Sequence, residues 1–209
     1  MRKLLVGVLL ATGTLSVSAQ DGKGYAGAGA GVSSYSIDTC DQLPPGFSCD
    51  ESGFAWKAFA GYMFLPFLGV EGSYLDFGTG NTPGVLLNPP PNTVPIPVDS
   101  DRRTFAWVLS LVGRVPIGPA ALYGRVGWGA VTGKFTGNAA VQDITTGAIS
   151  YFNAANRETS GQIVYGAGAS FDFGQAWRVR LDWDRAKAED GLNPEYDVDM
   201  YTLGLAYRF

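Results

Sequence analysis

From about residue 24 to residue 209 the chain repeats one pattern, segments of roughly ten residues in which apolar side chains alternate with polar or small ones. Period two puts successive side chains on opposite faces of a strand, whereas a helix needs 3.6. The last segment is the clearest. Tyr201, Leu203, Leu205, Tyr207 and Phe209 share one face, and Met200, Thr202, Gly204, Ala206 and Arg208 the other. Just before it, Trp177, Val179, Leu181 and Trp183 alternate with Arg178, Arg180, Asp182 and Asp184. Six more segments read as about 24–36, 54–64, 68–78, 104–116, 121–135 and 160–173. Their apolar faces include Trp56/Tyr62/Phe64, Val70/Tyr74, Phe105/Trp107/Leu109, Val126/Trp128 and Tyr165/Phe171/Phe173. Their other faces carry Lys57, Glu71, Arg114, Arg125 and Asp172. Eight strands are predicted, each long enough to cross a bilayer at a tilt.

Alternation alone does not say which face meets water, and the connections decide. Leu65-Pro66-Phe67, Ile117-Gly118-Pro119-Ala120 and Gly174-Gln175-Ala176 are tight, while segments near 38–53, 79–103, 136–159 and 188–197 are long. Short turns alternating with long loops, with both termini on the short side, describe a membrane-spanning meander. Aromatic residues gather at both ends of the strands, as two interfacial girdles require. The fold class is therefore all-β, an eight-stranded antiparallel up-and-down transmembrane β-barrel. A soluble exported lipocalin-like barrel is the rival, and it needs the Trp, Tyr and Leu faces turned inward.

Composition agrees. Charged residues make up only 16% of the chain against a usual ~25%, and 29 glycines suit tightly paired strands. The chain has no His, which removes Ser-His and Cys-His hydrolases, HExxH proteases and most zinc sites. Arg2 and Lys3, the apolar stretch Leu4–Leu15 and the small residues Val17-Ser18-Ala19 form a secretory signal peptide over 1–19, leaving 20–209 as the barrel domain. Loss of Arg2 and Lys3 moves the net charge from −4 to −6, which disfavours nucleic acid as a partner. Export also suits Cys40 and Cys49, the only cysteines, as a disulfide closing a surface loop.

Gly61-Tyr62-Met63-Phe64-Leu65-Pro66-Phe67-Leu68-Gly69-Val70-Glu71-Gly72-Ser73-Tyr74-Leu75-Asp76-Phe77-Gly78 resembles the second hairpin of OmpA-like outer-membrane β-barrel proteins. The stretches Tyr165–Phe171 and Arg180–Arg185 are similar to that family's sixth and seventh strands. Leu203–Phe209, with Tyr207 and the final Phe209, is similar to its C-terminal strand, which the resemblance makes an assembly signal for the outer-membrane assembly machinery. The resemblance implies a bacterial outer-membrane location among lipid and lipopolysaccharide. No peptidoglycan-binding domain is expected after Phe209.

The inner face is predicted to carry an ion-pair network of Lys57, Glu71, Arg114, Arg125, Asp172, Arg178, Arg180, Asp182 and Asp184. Buried charge persists only when paired, so a barrel of this size is expected to be plugged. The alternative on the same fold is a narrow gated pore for small solutes, with Glu71 exchanging between Arg180 and Lys57 or Arg125; the resemblance implicates an acid and a base at similar places. No cofactor, no catalytic residue and no metal site is predicted. Asp38, Asp41, Asp50 and Glu51 of the first long loop, with Glu189, Asp190 and Glu195 of the last, form an acidic patch that strand closure would bring together. It reads as a solubilising surface before it reads as a divalent-cation site. Loop two is proline-rich and stiff, and Val141–Phe152 is expected to protrude as a hairpin turning at Thr146-Gly147. A monomer with a structural and surface-contact role is the function expected.

Overall fold

The period-two segments form strands, and backbone pairing closes them on themselves. The computed structural model describes residues 23–36, 52–84, 93–96, 98–189 and 195–209. Nine strands follow in order: β1 (Gly24–Ser36), β2 (Ser52–Leu65), β3 (Leu68–Gly84), β4 (Thr93–Ile96), β5 (Val98–Ile117), β6 (Ala120–Asp143), β7 (Ile149–Phe173), β8 (Trp177–Ala188) and β9 (Tyr196–Arg208). All but the short β4 make the barrel. Each pairs antiparallel with its neighbour, and β1 pairs with β9 from Tyr25↔Arg208 to Ser36↔Asp197, so no barrel edge is left open. Among the described residues there is no helix long and apolar enough to cross a membrane, a statement that leaves strands untouched.

The Trp, Leu and Tyr faces turn outward. Trp107, Leu109, Trp128 and Leu203 are each more than 60% exposed, while Lys57, Glu71, Asp182 and Asp184 are fully enclosed. A soluble barrel would reverse this arrangement, so the apolar belt is a lipid-facing surface. Aromatic rings bound it at both ends. Trp56, Tyr74 and Trp107 stack side by side on the long-loop side, with centroids 5.2 and 4.8 Å apart. On the short-turn side Trp177 meets Tyr207 edge-on at 5.2 Å. The turns there use the predicted glycines, Gly118 and Gly174 adopting φ of 62° and 63°.

Above the long-loop girdle the polarity inverts. Asp76, Arg103 and Asp199 continue the outward rows of Tyr74, Phe105 and Tyr201, the two aspartates covered by the half-exposed Arg103 and by Arg185, while Leu75, Phe77 and Val198 are buried inside. Once a strand leaves the membrane its outer face meets water, and the dry side becomes the lumen. Tyr35, Leu75, Phe77, Val131, Val164, Val198 and Met200 fill that half of the interior as one apolar cluster.

Several expected strand ends move. Residues 79–84 and 98–103 belong to β3 and β5, not to loop two, and 136–143 and 149–159 extend β6 and β7. Loop two also contributes a strand: β4 pairs with β6 from Thr93↔Asp143 to Ile96↔Ala140. Pro95 is tolerated because β4 lies at an edge, where a missing N–H breaks only one ladder. The β8 and β9 strands are likewise longer than their alternation, because their outer ends pair as Ala186↔Val198 and Ala188↔Tyr196 with apolar side chains inward.

Candidate functional site

The inward charges of β2, β3, β6 and β8 meet at mid-barrel. Lys57 from β2 lies 2.9 Å from Asp182 and 3.1 Å from Asp184, both on β8. Arg125 from β6 reaches Glu71 on β3 at 2.7 Å and also pairs with Asp184. Arg180 from β8 reaches Glu71 at 2.6 Å and Asp182 at 2.9 Å. Three cations thus face three carboxylates, all sealed from solvent. Two tyrosines complete the shell: Tyr25 donates to Glu71 at 3.0 Å, and Tyr123 donates to Asp182 at 2.7 Å while accepting from Arg180 Nε at 3.0 Å. The Arg180 guanidinium also lies 4.1 Å from the Phe59 ring centre, so that its face as well as its edge is occupied. Close backbone approach matters at Gly61, where a Cβ would collide with the Tyr25 ring.

The nine predicted network residues do not form one cluster. Arg114, Asp172 and Arg178 lie nearer the short-turn end with Arg208, beyond a small apolar layer of Tyr25, Phe59 and Ala206. Glu71 holds Arg125 and Arg180 at once, while Lys57 serves the β8 aspartates and has no contact with Glu71 within 4 Å. In the gated alternative Glu71 exchanges between Arg180 and Lys57 or Arg125; in this arrangement it holds Arg180 and Arg125 together.

Of the predicted acidic loop patch, Glu189 and Glu195 lie within the described residues. Glu189 accepts from Gln162 at 3.1 Å, and Glu195 pairs with Lys187 at 3.3 Å on the exposed rim. Asp38, Asp41, Asp50, Glu51 and Asp190, with Cys40 and Cys49, lie outside the described residues. Among the described residues no group of acidic side chains is arranged to hold a metal ion. Tyr207 packs on Trp177 at the outer rim, and the Phe209 and Gly24 backbones exchange hydrogen bonds of 3.0 and 3.2 Å where the barrel closes.

Two surface features stand beyond the barrel, the expected protruding hairpin and a cluster of cations at its base. The β6–β7 hairpin runs far past the barrel, its 24- and 25-residue strands being more than twice the ~9–11 residues a membrane crossing needs. It turns at 144–147, where Thr145 and Thr146 N–H groups donate to Asp143 at 2.7 and 2.8 Å and Gly147 has φ 72°. Those two donors hold the Asp143 carboxyl below the ordinary carboxylate pKa. At the hairpin base, the registers Arg103↔Lys134 and Lys134↔Arg157 set three cations side by side on the outer face. Arg103 is paired with Asp76 at 2.6 Å, whereas Lys134 and Arg157 rest over the Phe105 ring at 5.3 and 5.8 Å.

An outward apolar belt, two aromatic girdles and a sealed, charge-paired lumen define an integral outer-membrane β-barrel. Residues 7–209 match the outer membrane protein beta-barrel domain family, and the chain belongs to it. No curated protein matches the sequence. Among solved structures the chain is similar to Ail, the attachment invasion locus protein of Yersinia pestis, crystallised with the heparin analogue sucrose octasulfate. That match has 19% identity and a TM-score of 0.52 over 89% of this chain and 97% of Ail. It is also similar to Neisserial surface protein A, at 13% identity and a TM-score of 0.56 over 90% and 98% of the two chains. Both are outer-membrane barrels of the OmpA-like kind, and at this identity the likeness concerns the fold.

Proposed function

We propose that the barrel is a closed membrane platform whose work is surface contact, carried by the β6–β7 hairpin. The observation that carries this reading is the hairpin's length together with its tip. Roughly fourteen residues of each strand stand beyond the membrane crossing, a reach on the order of 30 Å at the usual strand rise and tilt. At the far end Ile144, Ile149 and Tyr151 are exposed. Apolar and aromatic groups clustered on a stiff projection are suited to a protein partner. Nothing in the lumen calls for a catalytic role, because the inner carboxylates are consumed by ion pairs.

The same proposal includes a fixed place in the outer leaflet. Lys134 and Arg157 stand just above the aromatic girdle, at the depth of lipopolysaccharide phosphates, with no carboxylate within 4 Å of either among the described residues. The export signal over 1–19, the Cys40–Cys49 bridge and the reading of Tyr207 and Phe209 by the assembly machinery belong to this proposal too.

The test replaces 141–152 by a two-residue turn. The expected product still shifts on boiling in SDS-PAGE, as a folded barrel does, but bacteria displaying it lose adherence to cultured epithelial monolayers. Adherence unchanged by the deletion would refute the hairpin's role.

A further inference from the structure

The two ionic clusters of the lumen differ in charge balance. At mid-barrel three cations meet three carboxylates and the sum is neutral. At the short-turn mouth, which faces the periplasm in barrels of this kind, Arg114, Arg178 and Arg208 converge on Asp172 alone. Their distances to it are 3.4, 2.6 and 3.1 Å, and no other carboxylate among the described residues lies within 4 Å of the three guanidiniums. The cluster therefore carries a residual charge of two.

Its donors are also underused. Each guanidinium offers five N–H groups, and one carboxylate has about four acceptor positions. Arg178 uses Nε and one terminal nitrogen on Asp172, and Arg208 divides its terminal nitrogens between Asp172 and the Gln175 carbonyl. Arg114 has a single long contact. The Nε atoms of Arg114 and Arg208 are buried and meet no protein acceptor. Buried, unpaired donors on cations are costly unless an acceptor arrives. A cavity of about 370 Å³ opens beside them, bounded by Lys23, Arg114, Arg178, Arg208 and turn residues 64–66.

We propose that this mouth binds an oxyanion of the phosphate class, either inorganic phosphate or the phosphate of a lipid headgroup in the inner leaflet. A tetrahedral anion with several free oxygens fits guanidinium forks approaching from three strands better than one carboxylate does. Its negative charge offsets the residual positive charge. The turn at 64–66 places the cavity where the inner-leaflet headgroups begin. Asp172 holds the arginines together when the anion is absent and competes with it when it is present.

The test follows the arginine Nε–H resonances by NMR in the full barrel, first in a maltoside detergent with inorganic phosphate titrated against chloride at constant ionic strength. Saturable shifts are expected at Arg114 and Arg208, with Arg125 and Arg180 unmoved. Arg114→Gln and Arg208→Gln should each weaken binding about tenfold, the usual scale for one charge-assisted hydrogen bond. Asp172→Asn should tighten it, an effect that a purely structural carboxylate would not produce. Retention of the boiling shift shows that each variant is folded. A second arm compares the phosphate-free maltoside detergent with nanodiscs of phosphatidylcholine and of phosphatidylcholine with phosphatidylglycerol, all without inorganic phosphate. Shifts in either nanodisc relative to the detergent identify a headgroup phosphate, and shifts with inorganic phosphate alone identify the free anion. Shifts that fail to saturate with phosphate, or that chloride reproduces at the same ionic strength, together with no difference between detergent and lipid, would overturn the proposal.

Discussion

Arg180 and Glu71, separated by 109 residues in sequence, are joined across the lumen by a 2.6 Å contact from Nη1 to Oε2. One residue belongs to β8 and the other to β3, on different walls of the barrel. Glu71 accepts from Arg125 as well, so its removal takes one carboxylate partner from each of two buried guanidiniums at once, leaving Arg125 with Asp184 and Arg180 with Asp182. Loss of one partner from such a pair typically costs ~3–5 kcal/mol. Glu71→Ala is expected to lower barrel stability by about that much in urea titrations in lipid vesicles. Adding Arg180→Leu should recover part of the loss. Additive effects in that cycle would mean the contact carries no coupling.

The lumen is closed twice, by the ionic cluster and by the apolar layer of Leu75, Phe77, Val198 and Met200 beyond it. Wild-type protein is therefore expected to give no steady current in planar bilayers, and Glu71→Ala alone is expected to stay silent. Combining Glu71→Ala with Phe77→Ala should open a path. Current steps from the single Glu71 variant would instead place a gate in the ionic layer and revive the narrow-pore reading.

The polarity inversion above the girdle marks where membrane ends. An arginine on the lipid face at Leu203 is expected to cost roughly 2–4 kcal/mol, as cations at mid-membrane depth do. The same residue at Thr136, exposed on the projecting part of β6, is expected to change stability by less than ~0.5 kcal/mol. Equal costs at the two positions would contradict the boundary.

The hairpin tip has a predictable response to acid. Thr145 and Thr146 donate to ionised Asp143, and its pKa lies below that of the unfolded chain. A group with a depressed folded pKa stabilises the turn above its unfolded value of ~3.9 and loses that contribution as pH falls through the folded value. The amides of Thr145 and Thr146 should therefore keep their chemical shifts from neutrality down to about pH 4 and lose them only in stronger acid. Asp143→Asn should flatten that pH response. A transition at or above pH 5 in the wild type would rule out the assignment.

Much of this architecture is legible in the chain alone. The alternation around Trp177–Asp184 and Tyr201–Phe209 separates lipid-facing from inward residues because a membrane enforces the contrast on every strand that crosses it. The short turns at Pro66, Gly118 and Gly174 order the meander, and the absence of His removes Ser-His and Cys-His hydrolases and most zinc sites. Inner charge on β2, β3, β6 and β8 is visible for the same reason. Hidden are the outer ends of the strands, where alternation fades. There Asp76 faces out and Phe77 faces in, the reverse of the membrane rule, so 79–84, 98–103, 136–143 and 149–159 read as loop.

Which residues share a strand face is written in the chain, since polarity alternates locally at period two. Which charges meet is set by the closed barrel. Register across β3–β5–β6 and β7–β8–β9, together with β1–β9 closure, is a property of the closed sheet. It sends Lys57 to Asp182 and Asp184, gives Glu71 to both Arg125 and Arg180, and leaves three arginines at the mouth with one aspartate. Each pairing spans between 6 and 127 residues of chain, and across the larger separations no pattern in the chain specifies partners. Closure of the ring does so by fixing every strand's height against its neighbours.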